Sequence, residues 1–146
     1  MRELLRFFVA PESLLGDQVT ISGDVHHHLH NVLRTRLGSV LTLLDGQGLC
    51  CEAELEVINK REASARVLRR WRDEERTLPI SLIQGMPKAD KFDLILQKGS
   101  ELGMRCFQPV ETDNTVPQVN VARMVKREQR WSRIATEAAR QCRRSF

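Results

Sequence analysis

The stretch Asp24-Val25-His26-His27-His28-Leu29-His30 holds every histidine of the 146-residue chain, four of them in five positions. His26 and His30, four residues apart, would share one side of a helix. They could then reach a single ion, as the two histidines of a His-Glu-x-x-His helix do. Zinc sites need three or four ligands, and no acidic or thiol side chain stands in position to complete this one. No metal site is expected, and the block reads as a helix surface; a histidine metal sensor is the competing reading. Cys50, Cys51, Cys106 and Cys142 lack the C-x-x-C spacing of zinc clamps and the framework of small secreted proteins, so reduced thiols are expected.

Cationic side chains are the second group able to do chemistry. Residues 1–72 hold 10 basic and 9 acidic residues, whereas residues 123–146 hold 8 and 2. That excess suits a polyanion such as a phosphate backbone, or a solvated helix face. His27 and Arg34, seven apart, fall on one exposed face of the histidine helix, with Arg36 just beyond. Lys91 and Lys98 fall on one stripe of a later helix, with Lys88 at its start. Lys126, Arg130, Arg133 and Arg140 line one side of the last helix. With five Phe, two Trp and no Tyr, there is little for bases to stack on, so phosphate contact and shape would carry the binding of a nucleic acid.

The elements that must position these groups follow from periodicity. Segments 5–9, 18–22, 40–48, 50–58 and 62–71 read as short strands. Asp45-Gly46 marks a hairpin, and Cys51, Ala53, Leu55 and Val57 alternate with Glu52, Glu54 and Glu56. Asp24 as N-cap and Gly38 as stop bound a helix over roughly 25–36, with Val25, Leu29, Val32 and Leu33 as its apolar stripe. Strands at short spacing with one inserted helix predict a small β-barrel. After the charged joint at 73–76 the pattern changes. Segment 78–86 reads as a buried parallel strand, 88–103 as a helix with Phe92, Ile95, Leu96 and Leu102 inward, 105–111 as a strand, and 121–143 as a long helix. This β-α-β-α run opens a parallel α/β sheet and looks unfinished, as in a fragment or a unit needing a partner. The expected organisation is 1–72, a 73–77 linker and 78–146, α+β overall. No apolar run approaches a membrane span, and the N-terminus is no secretory signal; a cytoplasmic protein is expected.

RFFV at 6–9, HHLHNVLR at 27–34, LLDGQG at 43–48, QKGSELG at 97–103 and EAARQCRR at 137–144 occur in an order that resembles the RsmE family. These bacterial methyltransferases modify N3 of a uridine in small-subunit ribosomal RNA. The resemblance implies an N-terminal PUA-like RNA-binding β-barrel followed by the first half of a SPOUT domain. The C-terminal trefoil knot, which binds S-adenosylmethionine, would lie beyond residue 146. It further implies a homodimer, ribosomal RNA or the small subunit as partner, and no membrane. Gln141 and Arg144 match the family motif near the knot. Asp113-Asn114 stands where many members have Glu-Arg, which removes a forked phosphate donor.

The expected function is therefore that of a ribosomal RNA (uridine-N3) methyltransferase, represented by a portion without its cofactor site and inactive alone. The alternative is a stand-alone RNA-binding module. The RNA-binding candidates are His27, Arg34, Arg36, Lys88, Lys91, Lys98, Arg130, Arg133 and Arg144. No catalytic base can be named; Glu101 and Glu137 are the acids inside the QKGSELG and EAARQCRR motifs.

Overall fold

Two side chains set the hairpins of the N-terminal half. In the computed structural model, which describes residues 5–74, 78–88, 90–113 and 121–145 (side chains of 121–123 excepted), Asp45 Oδ1 accepts from the amides of Gln47 and Leu49 at 2.6 and 2.9 Å. Gly46 and Gly48 take φ of 73° and 93°, backbone that only glycine adopts without strain. Asn59 Oδ1 does the same for the amides of Arg61 and Glu62. These Asx turns join β3 (Val40–Leu44) to β4 (Leu49–Ile58) and β4 to β5 (Ala63–Arg72).

The chain divides into two compact units, Met1–Glu75 with Ser145–Phe146, and Arg76–Arg144. The first carries a five-stranded sheet in the order β1-β3-β4-β5-β2, with β1 (Leu5–Phe8) parallel to β3 and β2 (Gln18–Ile21) antiparallel to β5. The sheet is open. β1 and β2 are its edges and form no ladder with each other, which corrects the expected barrel. Strand spacing predicts hairpins between neighbours, but closure needs pairing between strands that are not neighbours in the ladder, and no local pattern specifies that. The parallel β1–β3 pairing joins segments more than thirty residues apart and was likewise outside the reach of periodicity.

The alternation of β4 holds only as far as Leu55. Its register with β5 shifts between Leu55 and Val57, so Leu55 faces Ala65 while Ile58, not Val57, faces Ala63 and joins the core. A bulge inserts one unpaired residue and reverses the parity beyond it. A second shift skips Leu68, leaving it 45% exposed. On the outer face Glu52 takes both arms of Arg69, and Glu54 and Glu56 share Arg66. The ion pair with Arg69 holds the Glu52 carboxyl below its ordinary value. Cys50 and Cys51 are both fully buried despite pointing to opposite faces. Over the Cys50 side Ser145 donates to Asp73 at 2.8 Å, accepts from Arg6 at 3.2 Å, and offers its carbonyl to the Gly48 amide.

In the second unit β6 (Ser81–Gly85) and β7 (Cys106–Val110) pair in parallel. Helices α2 (Lys91–Glu101) and α3 (Val121–Gln141) bury Phe92, Leu96 and Trp131 between them. Two apolar expectations are corrected. Leu102 lies just past the end of α2 and is 79% exposed, and β6 is not buried, with Ile83 71% exposed. Helices packed on both faces bury a parallel sheet, and the Ile83 side of β6 has no such cover among the described residues.

At Gly99 the helix approaches β7 so closely that a Cβ would lie 2.5 Å from the Phe107 ring. Gly99→Ala is expected to destabilise the protein by about 1–2 kcal/mol despite the better helix propensity of alanine, since overpacking outweighs it. Urea unfolding checks this, and Phe107→Leu in the same chain should recover part of the loss.

Burial raises the thiol pKa of Cys50 and Cys51 above the ordinary 9.0. The folded state therefore holds these protons where the unfolded state releases them. Stability is fully present below the unfolded thiol value and falls as pH rises through the folded one. Urea midpoints should drop above about pH 9, less so in Cys50→Ala/Cys51→Ala.

Candidate nucleic-acid interface

The histidine segment begins as expected and then departs from regular geometry. Helix α1 covers Gly23–His27, with Ser22 rather than Asp24 at its cap position, and a π-helical turn follows over His28–Val32. Its wider ring, closed by the Leu33 amide on His28 O at 2.9 Å, takes an extra residue per turn. The apolar stripe rotates off the core as a result. Leu29 is fully buried and Val25 packs on the core, but Val32 and Leu33 are 59% and 39% exposed. The helix ends before residue 34, and Arg34 sits in the exit loop with φ of 48°.

The histidines are engaged within the fold. The His26 Nε2–H donates to the Asn59 carbonyl at 2.8 Å, and its ring stacks on His30 at 5.8 Å. His30 Nδ1 bonds Asn31 Oδ1, the Asn31 amide donates to His27 Nδ1, and His28 meets the Phe7 ring edge-on. His26 and His30 do lie side by side, but among the described residues no third His, Cys, Asp or Glu joins them.

The expected RNA contacts separate into two sets. Lys98 is paired with Glu101 at 2.8 Å, and Arg130 with Asp90 and Asp93. Arg144 donates to the carbonyls of Ser100 and Met104 at 3.1 and 2.9 Å, closing the end of α2. These three cations have acceptors within the second unit. Glu137 is paired with Arg140, so the acids of the QKGSELG and EAARQCRR motifs both have basic partners. Lys88 and Lys91 are exposed at the start of α2, and Arg133 is exposed on α3. Arg34 and Arg36 are exposed in the first unit, and neither side chain has an ion pair or hydrogen bond among the described residues. Asn114 lies outside the described residues.

One constellation was missed in the sequence. Trp131 packs on Phe92 with ring centroids 4.6 Å apart and donates its indole N–H to Asp93 at 3.2 Å. Beside this pair is a cleft of about 240 Å3, lined also by Met86, Asp90, Arg127 and Arg130. The signal was present in the four-residue spacing of Arg127 and Trp131, but Asp93 belongs to another helix and Asp90 stands just before it.

These features meet a defined family. Residues 21–68 match the model of an RNA methyltransferase PUA domain, and residues 74–146 match that of an RNA methyltransferase domain. The ribosomal RNA small subunit methyltransferase E of Bacillus subtilis is 36% identical over 124 residues, covering 84% of this chain and 48% of its own. That of Synechocystis is 33% identical over 142 residues, 97% of this chain and 45% of its own. The crystal structure of a ribosomal RNA small subunit methyltransferase E from Neisseria gonorrhoeae bound to S-adenosylmethionine superposes with a TM-score of 0.89 at 34% identity, covering 99% of this chain and 60% of that one. The chain belongs to the RsmE family of RNA methyltransferases, and it spans about half the length of the curated relatives it matches.

The cleft beside Trp131 does not fit S-adenosylmethionine. Its volume is below the roughly 300–1,000 Å3 of ordinary ligand sites, and Arg130 already occupies both of its carboxylates. No helix among the described residues is long and apolar enough to cross a membrane.

With His26 committed to Asn59, zinc at roughly tenfold excess should leave the melting temperature unchanged, since only binding to the native state raises it. An increase abolished by His26→Ala/His30→Ala would reinstate the metal reading.

Proposed function

We propose that this chain is the N-terminal portion of a methyltransferase that transfers a methyl group from S-adenosylmethionine to N3 of a uridine in small-subunit ribosomal RNA. Its part is to bind RNA and to begin the catalytic domain. Family membership supports the reaction class. The observation that carries the RNA-binding role is the uncompensated pair Arg34 and Arg36 on the exit loop of the first unit. On the sheet of the same unit Arg66 and Arg69 are paired with glutamates, and Arg70 donates to the Leu14 and Gly16 carbonyls. A guanidinium already sharing a carboxylate has little left for a phosphate, whereas an open one offers its full fork. Lys88, Lys91 and Arg133 form the secondary set, and Lys98, Arg130 and Arg144 act as structural cations.

Methyl transfer requires the N3 proton of uracil to leave, which a base or donors to the flanking carbonyls would assist. The cofactor, the knot that holds it and the homodimer belong to the whole protein, working on the small ribosomal subunit in the cytoplasm.

Fluorescence anisotropy with a fragment of small-subunit ribosomal RNA at several salt concentrations tests the RNA role. Arg34→Ala should weaken binding and lower the slope of log K against log salt by about 0.7–0.9, one phosphate contact's worth. An unchanged slope would remove Arg34 from the interface.

A further inference from the structure

The exit loop carries more than charge. Between Val32 and Leu37 the chain reads Val-Leu-Arg-Thr-Arg-Leu, with Val32 59%, Leu33 39% and Leu37 62% exposed around the two uncompensated arginines. Three large apolar side chains in six residues cost hydration free energy unless a partner covers them. The segment is also held in one shape. The Thr35 amide bonds Leu29 O at 2.9 Å, the Ser39 amide bonds Arg36 O at 3.2 Å, and the Gly38 amide bonds Leu55 O at 2.8 Å. Arg34 keeps its left-handed φ inside that frame, a strained conformation retained where the surroundings dictate it. A loop so held loses little freedom on binding.

Building on the RNA-binding role above, we infer that this loop recognises unpaired bases: Val32, Leu33 and Leu37 pack against bases splayed from a bulge or loop, and Arg34 and Arg36 hold the flanking phosphates. The charge pattern selects a polyanion. The apolar residues then select among polyanions. A regular RNA duplex presents phosphates, ribose hydroxyls and base edges, which give aliphatic side chains nothing to cover, whereas unstacked bases expose apolar faces. Aliphatic wedges against unstacked steps are a known way for proteins to engage nucleic acid without aromatic platforms, and this chain is poor in aromatics.

The test compares the 146-residue chain with Val32→Ser/Leu33→Ser/Leu37→Ser and with Arg34→Ala/Arg36→Ala. Each binds two RNAs of equal length, a perfect duplex and a hairpin carrying a bulge, after circular dichroism has confirmed folding. The serine variant should lose about tenfold affinity for the bulged hairpin, keep its duplex affinity and keep its salt slope. The alanine variant should weaken on both RNAs and lose about 1.5 from the slope. Leu37→Asn alone, outside the helical turn, should shift the bulge preference in the same direction and covers the case in which the triple variant does not fold. Equal losses on both RNAs, or none, would overturn the inference while leaving the RNA-binding role standing. Absence of binding to either RNA by the unaltered chain would overturn both. A dimer in sedimentation that the serine variant dissolves would assign the patch to a second copy and also overturn it.

Discussion

A guanidinium in the first unit is either matched by an acceptor across the sheet or left open to bind something else, and β4 largely determines which. Its glutamates stand on the outer face at positions 52, 54 and 56, where the ladder brings Arg69 and Arg66 opposite them. Over these positions the sheet is charge-balanced, and a polyanion gains little there. Each such surface pair adds little to stability. Its larger consequence is electrostatic: Arg66 and Arg69 are taken up by glutamates on the sheet, whereas Arg34 and Arg36 are placed together and open on one ordered loop.

That loop exists because Leu29 is buried. The side chain is fully enclosed, and the π turn around it supplies the extra residue by which the following segment swings outward. π turns inside helices often mark functional positions. Here the turn converts a predicted inward stripe into exposed Val32 and Leu33 and ends the helix two residues short of Arg34. The same event that removes apolar residues from the core places them beside the open arginines.

The second unit is governed by close approach rather than by charge. Gly99 lets α2 lie against Phe107 of β7, and Phe92 with Trp131 fills the space between α2 and α3. Several of its basic residues are absorbed by this packing, as Arg130 is by two aspartates and Arg144 by two carbonyls. A basic count at the C-terminal end therefore overstates the charge available to a partner. The exposed Ile83 of the two-stranded sheet accompanies a chain that covers about half of its relatives' length.

Read alone, the sequence determined the features that depend on neighbours along the chain. These are the Asp45 turn, the alternation of β4 up to Leu55, the amphipathic helices α2 and α3, the change of period near residue 73, and an ordered set of motifs sufficient for the family. Tertiary structure alone decided what depends on residues far apart. It paired β1 with β3, left the sheet open, reversed β4's parity after a bulge, and wound a π turn where a regular helix was expected. It also sorted the candidate cations into committed and open, because a side chain's availability is set by the acceptors that folding brings within about 3 Å of it. Local periodicity carries no information about those acceptors, so the sequence could name Arg34, Arg130 and Arg144 together, and only the fold could separate them.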